Sequence, residues 1–541
     1  MNFLQDFKER KLVQWGVAYL ATAWLLTQLV DVLGTRWGVS TAAARVIDMV
    51  LVIGFFVALV IAWYHGEKGE QRIRGTEVLL IGLIVGIGGV GISMVDVSDD
   101  AVISGSEAQK AAVLQQSEID SAPWIAVLPF EVPDSNALLA EFAEALSADV
   151  TSGMSRYSHL LVLSRSTVQD VASGSRDVRV IGEATGARFV MEGSMRQGGH
   201  TLRATVRLVR ADDGATVWTQ RYERQFSEAE LFALQDDLTA RIVATVGDVT
   251  GVVMRELAVR IRGKAPEAMT PYEAMLMWSQ NRQSASAESH RRSRIALERA
   301  VELEPGYADA WAALGHVYME EYISAYNTQP EPMDRALVAV QRALELDRDS
   351  ALAHYVLSAV QYFRQDLGAF RAAMARAVEL NPYETQVLAF LGILLGYGGD
   401  WVHSVELTTR AMDLNPDHPG WYYFNTFFNQ YHRGNYAEAL EIAQRINMPG
   451  YWGDGLARTL AHGKLGNAEA AAAAAADLLA VWPGFEQEYG EMGLKNWMFA
   501  SPGLAHHIME GLRNAGLDMQ WDSSWSGTRE PLSPGQFDLP I

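Results

Sequence analysis

Ala308-Asp-Ala-Trp-Ala-Ala-Leu-Gly-His-Val-Tyr-Met-Glu320 is the stretch whose reading decides the fold. Trp311, Leu314, Gly315 and Tyr318 recur at i, i+3, i+4 and i+7, so they share one face of a helix. Gly315, with no side chain, leaves room for a second helix to approach that face. Just before it stands Arg299-Ala-Val-Glu-Leu-Glu-Pro305. The same phrase returns as Arg342–Arg348, Arg376–Pro382 and Arg410–Pro416, and Leu346, Leu380 and Leu414 are spaced by 34 residues. Between Leu303 and Leu346 the interval is 43, so nine extra residues fall around Tyr322–Pro332. One helical hairpin cannot bury its apolar face alone, so a run of them predicts a stacked all-α array.

A period of 34 with aromatic, Leu, Gly and aromatic positions resembles the tetratricopeptide repeat (TPR). About six hairpins are expected over 270–517. Pro449-Gly450 opens a degenerate last unit, and Gly434-Asn435 and Gly466-Asn467 mark turns between helices. The nine-residue insertion is expected to project as a loop at the rim and is the first choice for a partner contact. Residues 518–541 hold several Pro and Gly breaks and read as a flexible tail.

Length and charge set limits. A chain of 541 residues suggests about three folding units. A net charge of −21 argues against a nucleic-acid surface, which needs a basic patch. The absence of cysteine removes disulfides, thiolate metal sites and cysteine nucleophiles.

The first 96 residues read as a membrane anchor. Leu12–Val30, Met49–Gly66 and Val78–Val95 are apolar runs close to the roughly 20 residues that cross a bilayer. Contact with lipid is therefore expected through residues 12–95. Lys8, Arg10 and Lys11 precede the first run, and Lys68, Arg72 and Arg74 separate the second and third. By the positive-inside rule the N-terminus is cytoplasmic. Three crossings place the rest in the periplasm, on a bacterial inner membrane. Gly86, Gly88 and Gly91 spell a dinucleotide fingerprint, but inside a wholly apolar run they read as helix-packing glycines.

Residues 97–122 read as a linker and 123–226 as an α/β domain. Strands are expected at Trp124–Phe130, Leu160–Leu163, Arg188–Met195, Thr201–Arg210 and Thr216–Tyr222. Helices are expected at Leu138–Tyr157 and at Val178–Gly186, the latter ended by its glycine. Gln197–His200 and Asp212–Gly214 are hairpin turns, so the last strands form an antiparallel meander. Residues 227–269 are expected as a connecting helix.

Ile125-Ala-Val-Leu-Pro-Phe130, Ile181–Ser194, Asp213-Gly214, Val217-Trp218 and Arg221-Tyr222 together resemble the TolB amino-terminal-like domain. Phe7–Lys11 with Ala18-Tyr19 and Ala23–Leu26, and Gly511–Leu517, are similar to the ends of bacterial membrane-anchored chains that join this domain to TPR arrays. Some adenylate-cyclase-like multidomain proteins carry the same pair. The resemblance implies an anticodon-binding-like α/β module serving assembly rather than catalysis. The cyclase catalytic domain that precedes it in such proteins needs more chain than the anchor leaves. The winged helix of membrane transcription activators has no room before the first apolar run.

No constellation of catalytic residues stands out. Asp212-Asp213 is turn chemistry and Ser164–Thr167 lacks a paired His and Asp. His507 and Glu510 lack a third metal ligand. The expectation is a non-enzymatic scaffold with no cofactor, no metal and no evident small-molecule substrate. A signalling or transcription-regulatory relay, or a cyclase-like accessory protein, is the alternative. In a TPR array the groove is lined by the first helix of each hairpin. Asp309, His316 and Glu320, followed by Tyr355 and Tyr362, take those places and are the expected contacts to a partner protein.

Overall fold

The structure, a computed structural model, describes residues 121–133, 136–283, 286–324 and 326–532. The three expected membrane runs and most of the linker lie outside these residues. Among the described residues no helix is long and apolar enough to cross a membrane. What is described is multidomain in composition, a small mixed sheet followed by many helices.

Five strands, β1 (Trp124–Val127), β2 (Leu161–Val162), β3 (Phe189–Gly198), β4 (Thr201–Arg210) and β5 (Thr216–Gln225), form one sheet in the order β2-β1-β3-β4-β5. β1 is parallel to β2 and β3, and β3, β4 and β5 form the antiparallel meander. Helix α1 (Ala137–Met154) connects β1 to β2, while α2 (Arg165–Ala172) and α3 (Val178–Thr185) connect β2 to β3. Local chemistry sets the ends. Ser164 caps α2 by accepting from Thr167 N, so Ser164–Thr167 is a helix start. Gly186 ends α3 at φ 74°, a conformation that favours glycine. At the β4–β5 turn Arg210 pairs with both Asp212 and Asp213 and, across to the next helices, with Glu256. The acidic pair is thus a stapled turn.

The expected connecting helix is two helices. α4 (Leu231–Gly247) packs on α1 and completes the core of the α/β unit. The chain then breaks before α5 (Val252–Ala258). Asp248 Oδ1 accepts from both the N–H and the hydroxyl of Thr250, and Gly251 N–H bonds to Asp248 O at 2.6 Å. That local turn competes with the helical ladder and ends it.

Six hairpins follow: α6 (Pro271–Gln283) with α7 (Ala287–Leu303), α8 (Ala308–Ile323) with α9 (Pro332–Leu346), α10 (Ala351–Phe363) with α11 (Leu367–Leu380), α12 (Thr385–Tyr397) with α13 (Trp401–Leu414), α14 (Tyr423–His432) with α15 (Tyr436–Ile446), and α16 (Trp452–Leu465) with α17 (Ala468–Val481). The recurring phrase is a helix-end signal, since Leu303, Leu346, Leu380 and Leu414 are each the last residue of a second helix. Side chains of Ser350, Asp366 and Asp400 cap the helices that follow them. Gly315 lies against the backbone of α9. A Cβ there would stand 3.2 Å from Ala336 O.

Two expectations about irregular segments change. The insertion after α8 is tied back to the array, with Thr328–Glu331 left exposed. Glu321, fully buried, pairs with Arg294 and Arg335 and accepts from Gln329 N–H. Asn327 donates to Ala287 O and accepts from Arg294 through its own carbonyl. A buried carboxylate needs such partners, and the loop folds back to supply them. Nor is the tail loose over its described part. Short α18 (Phe485–Tyr489), a π-helical turn at Gly490–Lys495 and α19 (Pro502–Asn514) are followed by a strap that runs back over the array. Thr528 N–H bonds to Phe499 O, Arg529 Nε to Gln365 O, and Leu532 N–H to Gly398 O.

The α/β unit and the array share a core. One apolar cluster runs from Ile125 and Leu146 through Val243 and Trp278 to Leu314 and Val317. Trp311, Tyr318, Leu352 and Tyr383 pack against this cluster and also against that of the later hairpins. Polar contacts add register. Tyr157 Oη donates to Tyr383 O at 3.1 Å, and Arg156 to Leu380 O at 2.9 Å.

Candidate functional site

The first helices of successive hairpins, α6, α8, α10, α12, α14 and α16, turn one face inward around a chamber of about 620 Å³. That volume suits a small organic molecule. Part of the chamber wall comes from the chain's own C-terminal segment. The π-helical turn widens the helix after Tyr489, with Gly493 tucked against the Tyr489 ring, and delivers Leu494, Trp497 and Met498 to the chamber wall. Trp497 stands edge-on to Phe363, Phe390 and Tyr397. Its carbonyl accepts from Tyr362 Oη at 2.6 Å.

The two ends of the chamber differ. One is aromatic, with Tyr397, Trp421, Phe428, Tyr451, Trp452 and Trp497 in its wall. The other is polar and centres on Arg282, from the last turn of α6. Its guanidinium donates to Gln386 Oε1 at 3.1 Å, reaches Tyr355 Oη at 3.5 Å, and lies 5.4 and 5.6 Å from the ring centroids of Trp278 and Tyr355. It also contacts His316 Nε2. Arg282 has only N–H groups to offer, so Nε2 must accept and the imidazole must be neutral. Burial holds His316 well below its ordinary pKa, and the Arg282 charge adds to the effect. Glu320 sits beside this cluster and accepts from Asn281 at 2.9 Å. Burial lifts its carboxyl to about 7, against the opposing influence of Arg282 and Asn281.

Behind Arg282 a buried polar chain leads back to the α/β unit. Gln386 Nε2 donates to Thr250 Oγ1, and Thr250 donates to Asp248. The other oxygen of Asp248 accepts from the N–H and hydroxyl of Thr385, at 2.9 and 2.7 Å. Glu384 lies against the same carboxylate and accepts from Val249 N–H. Burial raises Glu384 well above the usual carboxyl range and Asp248 raises it further, so Glu384 keeps its proton.

Of the residues expected to meet a partner, the structure brings His316, Glu320 and Tyr355 together at the polar end of the chamber. Asp309 and Tyr362 lie elsewhere. Asp309 is buried toward the α/β unit beside Ser158, and burial lifts its carboxyl to about 6. Tyr362 is buried, its hydroxyl committed to Trp497 O. Both sit on the first-helix register, but the α/β unit covers one and the C-terminal segment covers the other. His507 and Glu510 are engaged with Tyr436 and Lys464 respectively. Sequence reading missed Arg282, Gln386 and Trp497. Gln386 follows the period, 34 residues after Leu352 in the first helix of the previous hairpin, and Arg282 falls four residues after Trp278, so both were open to discovery. Trp497 lies outside the repeats, and nothing in its neighbourhood announces where it packs.

Residues 121–241 match the second domain of the HilA/YgeH-like transcriptional regulator family. The match covers the sheet, α1 to α3 and part of α4, and stops short of the hairpins. The chain is also similar to "Putative adenylate cyclase 3" of Rhizobium meliloti (strain 1021), at 29% identity over 243 residues. That alignment takes in 44% of this chain and 40% of the relative, so less than half of the relative's length is represented. Among solved structures, the Neisseria meningitidis lipoprotein GNA1162 aligns over 22% of this chain and 96% of its own at 17% identity. Its TM-score of 0.18 is too low to carry an argument. The chain thus contains a regulator-like α/β domain and a distant likeness to a cyclase-named protein, with a repetitive helical C-terminal part.

Proposed function

We propose that this chain is a non-catalytic regulatory interaction protein. In this reading the α/β unit is TolB amino-terminal-like, the hairpins are tetratricopeptide repeats, and together they bind a partner protein and relay its bound state. The observation that carries the reading is the buried chain from Arg282 through Gln386, Thr250 and Asp248 to Thr385. It couples the helix leaving the α/β unit to the interior of the array. In this reading that buried chain is the route by which occupancy inside the array would bias the α4–α5 break.

The regulator-domain match over 121–241 favours a transcription-regulatory relay as the form this signalling takes. The apolar runs before residue 96 support anchorage in a membrane, with the described residues on the periplasmic side. A reporter active only outside the cytoplasm, fused after Asp120, is expected to be active; an inactive fusion refutes that placement.

Two measurements test the regulatory reading. Purified full chain is expected to turn over no ATP or GTP above background, and robust turnover would overturn it. Photo-crosslinkers at the exposed Val402 and Phe232, used in native membranes, are expected to trap one common partner. A cytoplasmic protein trapped from a crosslinker at Phe7 would favour the transcriptional form.

A further inference from the structure

We infer that the chamber is a binding site for a small amphipathic organic carboxylate, its acid head on Arg282 and its apolar body against the aromatic wall. This goes beyond the regulatory reading and is testable without any partner protein.

Three observations converge. The first is charge. Arg282 keeps part of its surface accessible although protein surrounds it, because that surface faces the chamber. Its side-chain partners are Gln386, Tyr355 and His316, all neutral. Among the described residues no carboxylate lies within ion-pair distance of it, and Glu320, the nearest acid in the wall, is held by Asn281. A carboxylate entering the chamber matches the planar fork of this guanidinium.

The second is shape. The same chamber has a wall rich in Trp, Tyr and Phe, continuous with Tyr355 through Phe390 and Trp497, that offers ring stacking and apolar burial. A ligand satisfying both ends has one acid group and a compact apolar or aromatic body. The third is a fixed wall. Tyr362 and three aromatic rings hold Trp497 in place, and a volume of about 620 Å³ suits a small molecule.

The test is calorimetric titration of the full chain with three probes of matched body: 2-naphthylacetate, 2-naphthylacetamide and 2-(2-naphthyl)ethylamine. The carboxylate is expected to bind at least tenfold tighter than the amide, and the amine more weakly still. Gln386→Glu places a carboxylate on Arg282 with little change of shape. It is expected to weaken the carboxylate probe at least tenfold and by a clearly larger factor than it weakens the amide. Arg282→Gln is expected to do the same wherever it folds, and Gln386→Glu carries the test if it does not. Equal affinities for the three probes, an unchanged carboxylate affinity in Gln386→Glu, or no binding of any probe to the unmodified chain would each overturn the assignment.

Discussion

Single buried side chains set the pH response of this protein. Glu320 keeps its proton up to about pH 7 in the folded chain, whereas an unfolded glutamate loses it near 4.5. Between those values the folded state holds more protons, so stability falls as pH rises from about 4.5 to 7 and stays at the lower level above. Asp309, lifted to about 6, acts in the same direction. His159 acts in the opposite sense. Burial lowers it to about 4, so its contribution is present above the unfolded value of 6.5 and is lost as pH falls toward 4. Glu320→Gln keeps an oxygen for Asn281 and removes the buried charge. The variant is expected to gain about 1–3 kcal/mol at pH 8 and little at pH 5, measured by urea unfolding at both values. An equal effect at the two pH values would exclude a buried ionisation at this site. His316 and Glu320 were legible in the sequence because helical spacing puts them on one face. The pairing of Arg282 was not, because its partners Tyr355 and Gln386 come from hairpins two and three units along the chain and only the curvature of the array gathers them.

Between neighbouring helices, glycine at the packing position is read from sequence as a single rule, but the structure gives it two strengths. A Cβ on Gly315 would meet Ala336 O at 3.2 Å and Val340 N at 3.4 Å, contacts that a small shift relieves. On Gly392 it would lie 2.4 Å from Thr408 Oγ1 and 3.0 Å from Ser404 O. Alanine gains about 1 kcal/mol over glycine within a helix. Gly315→Ala is therefore expected to change stability by less than about 1 kcal/mol. Gly392→Ala is expected to cost about 1–3 kcal/mol, since α12 and α13 must move apart. Thermal unfolding of the two variants compares them directly, and equal costs would mean that helix separation is not the governing distance. Hairpin existence, helix ends and the antiparallel meander were all legible, because period, capping residues and turn glycines are local signals. The break after α4 was not, because Asp248 stops that helix while also bonding Thr385, far along the chain.

Across the whole molecule, the C-terminal segment decides what the array can bind. It adds Trp497 to the chamber wall and then straps the outside through Thr528, Arg529 and Leu532. A stop codon after Leu517 removes the strap and uncovers the surface that Leu532 buries at Gly398. The melting temperature is expected to fall by roughly 5 °C. Protease cleavage near 490–498 is expected to become faster, because the segment that carries Trp497 loses its outer support. Unchanged melting and cleavage would show that the strap bears no load. The sequence by itself determined the hairpin period, the strand order along the chain and the acidic, cysteine-free composition, because these follow from local spacing and residue chemistry. Only the tertiary structure decided that the α/β unit shares a core with the first hairpins, that the insertion and the tail fold back, and that the first helices line a chamber with a guanidinium in its wall. The physical reason is that burial, desolvation and charge pairing depend on which distant segments meet, and no local spacing encodes that meeting.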